Sequence, residues 1–392
     1  MNEIFEKFPQ IKKKQLLSTS LFNLLYKNTF DAENEWIGGN ILNSEPIYYT
    51  NKTRFGNITN YQLIDNEIRG LIESIGCFEK KYIFSINHRN YKVYLSYPSK
   101  NQRQKQKIND YFEDCIMKIY LWLYVSQFYS RNECSKNMDI FIWFSSHKKI
   151  INSDKSILDT LNVNTAFTTS CQENTQICLY RKEEWFKVFI HETFHNLGLD
   201  FSESDNTQND ILMEKLFNIN NNNNNNKGFR VYESYCEVWA EILNCFFNSF
   251  IQSENKQQCK RQFEILMKEQ ITFSVLQLIK ILKYYDTNYL EFIDKSKKNI
   301  KFQEKTYILS YYILKTILLF YSFDFQSWCI KNNINIFQFR QTSKNIINFG
   351  NLIEEKYSEK TFLEYIANME SHLHKIQLNK ELTLTMRMTV SP

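Results

Sequence analysis

The pattern of apolar and polar residues in the first half of the chain predicts alternating strands and helices. Apolar and polar residues alternate over residues 81–97, on both sides of the turn signal at 87–90, which predicts a β-hairpin. Apolar residues at helical spacing predict a long helix over 101–129. Three short apolar runs then predict strands at 138–144, 163–169 and 176–180. Residues 181–197 return to helical spacing, so this part of the chain ends on a helix.

From residue 231 onward helical spacing dominates. The predicted helices are 231–253, 257–270, 271–284, 302–322, 333–348 and 352–376. Residues 382–390 alternate strictly and predict a strand, while 3–25 and 61–75 predict helices ahead of the hairpin. An asparagine run over 220–226 cannot bury apolar surface and predicts a disordered loop.

These elements predict an α+β protein, in which a mixed sheet and one helix form a core and a mostly helical C-terminal domain follows. The chain has 392 residues, which is enough for two or three packed units. The predicted divisions are an N-terminal helical region (1–75), the core (76–217), an Asn-rich loop (218–228), the helical domain (229–380) and a C-terminal strand or tail (381–392).

Composition narrows the class of protein. A hydrophobic fraction of 43% excludes a wholly disordered chain. The net charge is only +5 and the basic residues are scattered, so no nucleic-acid partner is predicted. The N-terminus shows no secretory signal. The most apolar stretch, 307–323, is short, rich in Tyr and interrupted by Lys315, which favours a buried helix over a membrane-anchoring span.

The nine cysteines give a prediction about compartment. Their number is odd, no CxxC pair occurs, and most lie in apolar runs, as free core thiols do. This pattern predicts free thiols, with neither a disulfide framework nor a thiolate metal site, in a reducing, intracellular compartment.

The motif with the clearest chemistry is F-I-H-E-T-F-H-N-L-G-L-D, from Phe189 to Asp200. His191 and His195 are four residues apart, so on a helix both imidazoles lie on one face and can reach one Zn²⁺ ion. Glu192 lies beside the first ligand, where its carboxylate can take a proton from a metal-activated water as that water attacks a carbonyl carbon. The alternative is an ordinary helix whose polar face matches H-E-x-x-H by coincidence.

A second segment offers a third ligand. V-Y-E-S-Y-C-E-V-W-A-E-I-L, beginning at Val231, carries Glu233, Glu237 and Glu241 at intervals of four, so the three carboxylates share one helical face. Such a stripe needs a cation nearby, which zinc, Lys or Arg could supply. A solvated acidic stripe is the alternative, although the segment is otherwise apolar and aromatic.

H-E-x-x-H followed by a downstream Glu resembles the gluzincin branch of the zincin zinc metallopeptidases, which includes thermolysin and the lethal-factor type of toxin peptidase. E-V-W-A-E, from Glu237 to Glu241, is similar to the E-x-x-A-E pattern of the latter type. The resemblance implies a zincin-like sheet, Glu237 as third ligand, and Glu241 as the acid that orients a ligand His. In a competing register, Glu233 with Glu237 resembles the E-x-x-x-D arrangement of thermolysin.

A metzincin would read H-E-x-x-H-x-x-G-x-x-H. Gly198 matches that pattern, but Phe201 stands where the third ligand belongs, and Gly198 is explained as a helix-ending residue at positive φ. The low-Gly, Asn-rich composition is similar to that of giant-virus proteins, among them uncharacterised metallopeptidase-like ones. A cytoplasmic or virion-associated location follows as the expectation.

The resemblance also implies how a peptide or protein substrate would bind. In zincins an upstream edge strand pairs with the extended substrate backbone. The preferred strand here contains Asn164, Thr165, Ala166 and Phe167. Tyr232, just ahead of the acidic stripe, is the preferred donor to the oxyanion. The alternatives are Tyr311, Tyr312, His372 and His374.

The sequence therefore supports two functions. The first is a zinc-dependent metallopeptidase with Glu192 as general base. The second is a catalytically idle zincin-fold protein that serves as a structural or interaction module. A scaffold has no need of a carboxylate beside the metal, so Glu192 favours the enzyme. The oligomeric state and the substrate sequence remain open.

Overall fold

The chain divides into two units, each formed from more than one stretch of sequence. The computed structural model describes residues 8–9, 16–38, 42–152, 154, 156–217, 219, 228–297, 302–376 and 378–390. One unit, here the sheet unit, comprises Thr19–Lys148 and Asn164–Leu199. The other, the helical unit, comprises Met1–Ser18, Lys149–Val163 and Asp200–Pro392. The predicted Asn-rich loop lies almost wholly outside the described residues.

A mixed seven-stranded sheet organises the sheet unit. Its strands are β1 (Asn43–Ser44), β2 (Tyr48–Thr50), β3 (Cys77–Ile86), β4 (Arg89–Pro98), β5 (Asn137–Trp143), β6 (Ala166–Thr168) and β7 (Asn174–Leu179). The order is β1-β3-β4-β5-β7-β6, and β2 also pairs with β3. β4, β5 and β7 run parallel, whereas β3 and β6 are antiparallel to their neighbours. The predicted hairpin and the three predicted strands are confirmed within a few residues.

The helices of the sheet unit are α1 (Thr19–Gly38), α2 (Asn66–Ser74), α3 (Lys105–Ser126) and α5 (Trp185–Asn196). The two-residue β1 and three-residue β2 add to the hairpin through β3, and α1 packs on α3, where the rings of Trp36 and Tyr120 lie 5.3 Å apart. These contacts join residues 19–75 to the sheet. The predicted division at residue 75 is therefore not a boundary between units.

The helical unit contains the other helices. They are α4 (Thr160–Val163), α6 (Thr207–Leu216), α7 (Val231–Ile251), α8 (Lys256–Tyr284), α9 (Tyr289–Ile293), α10 (π-helical over Leu309–Leu314 and α-helical over Lys315–Phe320), α11 (Ser322–Asn332), α12 (Ser343–Lys356), α13 (Lys360–Leu373) and α14 (Lys380–Leu384). The α+β class with a helical C-terminal region is confirmed. The helices predicted at 257–270 and 271–284 form one 29-residue helix, α8.

The predicted strand at 382–390 is wrong in part. Its first residues belong to α14, and Thr385 makes one isolated bridge, to Ile150. The residues after it are buried. The Met386 amide donates to the Lys149 carbonyl, and beyond it side chains hydrogen-bond the backbone. Gln270, for example, donates to the carbonyl of Met388 and accepts from the amide of Val390. Alternation of side chains therefore occurs here without a neighbouring strand.

The apolar stretch 307–323 is a buried part of the helical unit, as predicted. Every residue of α10 is buried, including Lys315. None of the helices in the described part of the chain combines the length and apolar character that crossing a membrane requires.

The cysteine prediction needs a correction. Cys134 and Cys171, 37 residues apart in sequence, form a disulfide with a Cα–Cα distance of 4.9 Å. The other seven cysteines are buried thiols outside any disulfide, as expected. The pairing joins the loop after α3 to the loop between β6 and β7, two segments whose proximity no sequence spacing reveals. A disulfide is typical of oxidising compartments, so the thiol pattern no longer argues for a reducing one, and the location stays a prediction.

Candidate metal centre

The histidine pair lies on α5, the helix that follows β7 and packs against β6 and β7. All twelve residues of α5 are buried, and His191 and His195 are 4% and 9% exposed. Their Nε2 atoms lie 3.3 Å apart. The i, i+4 spacing therefore brings the two imidazoles together, and both turn the same nitrogen toward one point.

That separation suits a tetrahedral metal ion. Zinc binds His nitrogen at about 2.0–2.1 Å, so two such ligands of a tetrahedral ion are about 3.3–3.4 Å apart. His191 and His195 have this distance between their Nε2 atoms. Two neutral imidazoles are also donors that zinc accepts. The pair thus fits two ligand positions of one zinc ion.

Glu192 lies between the two histidines in sequence and is 8% exposed. Its negative charge is close enough to β7 to affect Cys178, a residue of that strand. Burial, together with the charge of Glu192, raises the pKa of the Cys178 thiol. Because this carboxylate is largely shielded from water, it interacts strongly with any charge or proton that comes near it.

Three contacts hold the middle of α5. Trp122 on α3 donates from Nε1 to the hydroxyl oxygen of Thr193, at 2.6 Å, and Thr193 donates to the carbonyl of Ile190, also at 2.6 Å. The Trp122 ring also stacks on Phe194, with 6.0 Å between ring centroids. Thr193 lies between His191 and His195, so Trp122 holds the turn of helix that carries the pair.

The end of α5 depends on a glycine. Gly198 has a φ of +64°, the helix-ending conformation predicted from the sequence. A Cβ at this position would lie 2.5 Å from the Arg131 Cδ and 2.8 Å from the Cys134 Sγ. The matching Gly of the metzincin pattern is thus explained by backbone conformation and close packing.

The acidic stripe lies on α7 in the helical unit. Glu233, Glu237 and Glu241 are 5%, 3% and 0% exposed, which excludes the solvated stripe. Buried carboxylates must be hydrogen-bonded or paired with positive charge. For Glu241 a cation is present: its Oε1 lies 3.6 Å from the Nζ of Lys315, and both side chains are fully buried.

A hydrogen bond identifies a neighbour of Glu233. The Tyr311 hydroxyl lies 3.3 Å from the Oε2 of Glu233 and donates to it. Tyr311 belongs to the π-helical part of α10, a rare conformation that often occurs at functional sites. Tyr232, the predicted oxyanion donor, is buried on α7 with its ring 6.1 Å from that of Phe201, and its role stays a prediction.

The predicted substrate strand is at the edge of the sheet. Among the described strands, β6 pairs with one neighbour, β7, and the pairing is antiparallel. Ala166 and Phe167 belong to β6, while Asn164 and Thr165 precede it. The Thr165 carbonyl accepts from the amide of Tyr180, which continues the pairing beyond the strand. The role of these four residues in substrate binding stays a prediction.

Sequence reasoning did not name Trp122, and it assigned no partner to Tyr311 or Lys315. All three lie far from the motifs in sequence. Tyr311 is one of several candidate oxyanion donors, and Lys315 is a lone charge in an apolar run. A lysine in such a run is costly unless it has a partner. Its partner Glu241 was one of the residues singled out.

No family model matches the chain, and neither a curated protein nor a solved structure matches it.

Proposed function

We propose that this protein is a zinc-dependent hydrolase of peptide bonds. His191 and His195 serve as metal ligands and Glu192 as the general base. The 3.3 Å separation of the two Nε2 atoms supports this most directly, because it equals the spacing of two ligands on a tetrahedral zinc ion. The H-E-x-x-H motif and the burial of all three side chains support it further.

A third ligand is expected from the stripe on α7, and two carboxylates compete for the role. The resemblance to E-x-x-A-E favours Glu237. The hydrogen bond from Tyr311 favours Glu233, because a carboxylate that binds metal is usually oriented by a hydrogen bond from a second group. We take Glu233 as the ligand and Glu237 as the alternative. Glu241 is the weakest choice, since Lys315 already balances its charge.

When bound, zinc lowers the pKa of a water molecule and polarises the scissile carbonyl. The residues of this chain would do the rest. The Glu192 carboxylate accepts the proton of the attacking water and passes it to the leaving amine. The buried setting of Glu192 keeps bulk water from competing for that proton. An extended substrate would pair with the edge strand β6.

The other candidate is an idle fold that binds metal without catalysis. The buried Glu192 is the observation against this alternative. Burying a carboxylate costs stability unless it is paired, and a scaffold needs no acid beyond those that hold the metal. The mild net charge leaves nucleic acid without support as a partner.

The decisive experiment separates metal binding from turnover. Purified protein is stripped with a chelator, reloaded with zinc, and analysed for bound metal and for cleavage of a pool of internally quenched peptides. Glu192→Gln should keep its zinc and lose hydrolysis by about 10²–10⁴-fold. His191→Ala and His195→Ala should lose zinc. Glu183→Gln, two residues before α5, is the matched control and should behave as wild type. Wild-type turnover by Glu192→Gln would refute the mechanism.

A further inference from the structure

One side chain ties the end of the histidine helix to the edge strand. Asn196 directly follows His195, closes α5 and is fully buried. Its Oδ1 lies 2.9 Å from the hydroxyl oxygen of Thr168, whose single proton is shared between this oxygen and the Gln176 carbonyl, also at 2.9 Å. Its Nδ2 donates to the carbonyl of Thr169. Both polar ends of the amide therefore form hydrogen bonds, one with the last residue of β6 and one with the residue after it.

The backbone of Asn196 is held as well. Its carbonyl accepts from the hydroxyl of Ser135, at 2.8 Å, and Ser135 in turn accepts from the hydroxyl of Thr175 on β7. The carbonyl of Leu197 accepts from the amide of Arg131. The end of α5 is thus fixed by the loop after α3, while the Asn196 side chain reaches out to β6.

β6 needs such an attachment. It has three residues and, among the described strands, one neighbour. A strand this short has few ladder bonds to set its register, and a slip of one residue would turn every side chain to the opposite face. The Asn196 amide contacts both Thr168 and Thr169, so it opposes a slip in either direction.

We infer that Asn196 is a positioning residue that fixes β6 relative to the histidine pair and so sets the register in which an extended peptide is presented for cleavage. The inference rests on the proposed function. It also names the substrate class: a peptide long enough to pair with β6, because a substrate that ends before this strand would not sense its position. In this role Asn196 acts through Thr168 and Thr169, not by binding substrate or metal itself.

The test uses the full-length, zinc-loaded protein and three variants. Asn196→Ala removes both contacts. Thr168→Val removes one hydroxyl at nearly constant shape, and with it the contacts to the Asn196 amide and to the Gln176 carbonyl of β7. It remains informative if Asn196→Ala folds poorly. Asn174→Ala is the matched control, because Asn174 is exposed on β7 of the same hairpin and its side chain pairs with Asn137 instead.

Two readouts are needed. The first is KM and kcat for internally quenched octapeptides and for short dipeptide substrates. Asn196→Ala should raise KM for octapeptides about tenfold, with kcat and zinc content nearly unchanged. A tenfold change corresponds to about 1.4 kcal/mol, which the loss of its two hydrogen bonds can supply. Dipeptide turnover should be unaffected, and Thr168→Val should show a smaller effect in the same direction.

The second readout does not depend on activity. Amide hydrogen exchange over 166–169 should be faster in Asn196→Ala and Thr168→Val than in wild type and Asn174→Ala. Equal losses for long and short peptides, or unchanged exchange over 166–169, would overturn the inference. If wild type cleaves no peptide, the proposed function fails separately, and exchange alone then decides whether Asn196 positions β6.

Discussion

The Tyr311 hydroxyl donates a 3.3 Å hydrogen bond to the carboxylate of Glu233, and both side chains are buried in the helical unit. The two residues are 78 positions apart, on α10 and α7. Tyr311 is held in a π-helical turn. A rare backbone conformation thus delivers a hydroxyl to one particular carboxylate of a buried stripe, which is the relationship expected between a metal ligand and the group that orients it.

Removing that hydroxyl should weaken zinc binding. Tyr311→Phe should lower zinc affinity about tenfold, because loss of a group that orients a ligand typically has this effect. Competition with a chromophoric chelator measures it. Tyr312→Phe is the matched control: its hydroxyl donates to the carbonyl of Met386, so its loss should reduce stability and leave zinc affinity unchanged. Equal zinc affinities in the two variants would argue against Glu233 as a ligand.

The register of the acidic stripe can be settled by direct substitution. Glu233→Ala should lower bound zinc more than Glu237→Ala does, because Glu233 is the carboxylate that Tyr311 orients. Metal content after dialysis against limited zinc distinguishes the two. A larger loss in Glu237→Ala would move the ligand by one turn, to the position that the E-x-x-A-E resemblance implies.

The support for α5 gives a stability prediction. Trp122→Phe loses the hydrogen bond to Thr193 and part of a fully buried ring, so the free energy of unfolding should fall by about 2–4 kcal/mol. Zinc affinity should also fall, because Thr193 lies between the two histidines. Denaturant unfolding and zinc titration measure these effects. Trp143→Phe, in β5 and packed on Phe55, should lose stability without loss of zinc affinity.

Glu304 gives a pH prediction. Burial raises its pKa from 4.5 to about 8, against the opposing effect of the Leu309 amide that donates to it. The folded state therefore holds this proton more tightly than the unfolded state. The stabilisation of the fold that comes from binding this proton is fully present below about pH 4.5 and is lost as the pH rises through 8. Folded protein should lose stability over this range by an amount on the order of a few kcal/mol.

Urea unfolding at intervals between pH 5 and 8 tests this. Glu304→Gln keeps a neutral side chain beside the start of the π-helical turn, so its stability should fall less over the same range. Glu264→Gln, at an exposed position on α8, should leave the wild-type slope in place. Identical slopes in wild type and Glu304→Gln would contradict the assignment of this titration to Glu304.

Features that depend on residues close together in sequence could be predicted from the sequence. The proximity of His191 and His195 could be predicted because helix geometry alone places residues four apart on one face. The hairpin of β3 and β4 was predictable for the same reason, since its alternation and turn are adjacent in sequence. Gly198 was also local: a positive φ at the end of a helix is a property of one residue.

What could not be predicted depends on residues far apart in sequence. β1 and β2 are too short to show a period and exist through their pairing with β3. The ion pair of Glu241 with Lys315, and the hydrogen bond of Glu233 with Tyr311, join helices that only tertiary packing brings together. The Asn196 amide reaches β6 across 28 residues, and nothing in the spacing of the motif marks that asparagine.

The Cys134–Cys171 bond has a consequence for how this protein is made in the laboratory. A bacterial cytoplasm keeps such cysteines reduced, whereas a periplasmic or secretory route oxidises them. Recombinant protein from the two hosts would thus have one sequence but two covalent forms. The forms differ in mass by two hydrogen atoms, and only in the oxidised one is the loop after β6 tethered by the disulfide. Kinetic data from different laboratories would be comparable only when intact mass has been recorded with them.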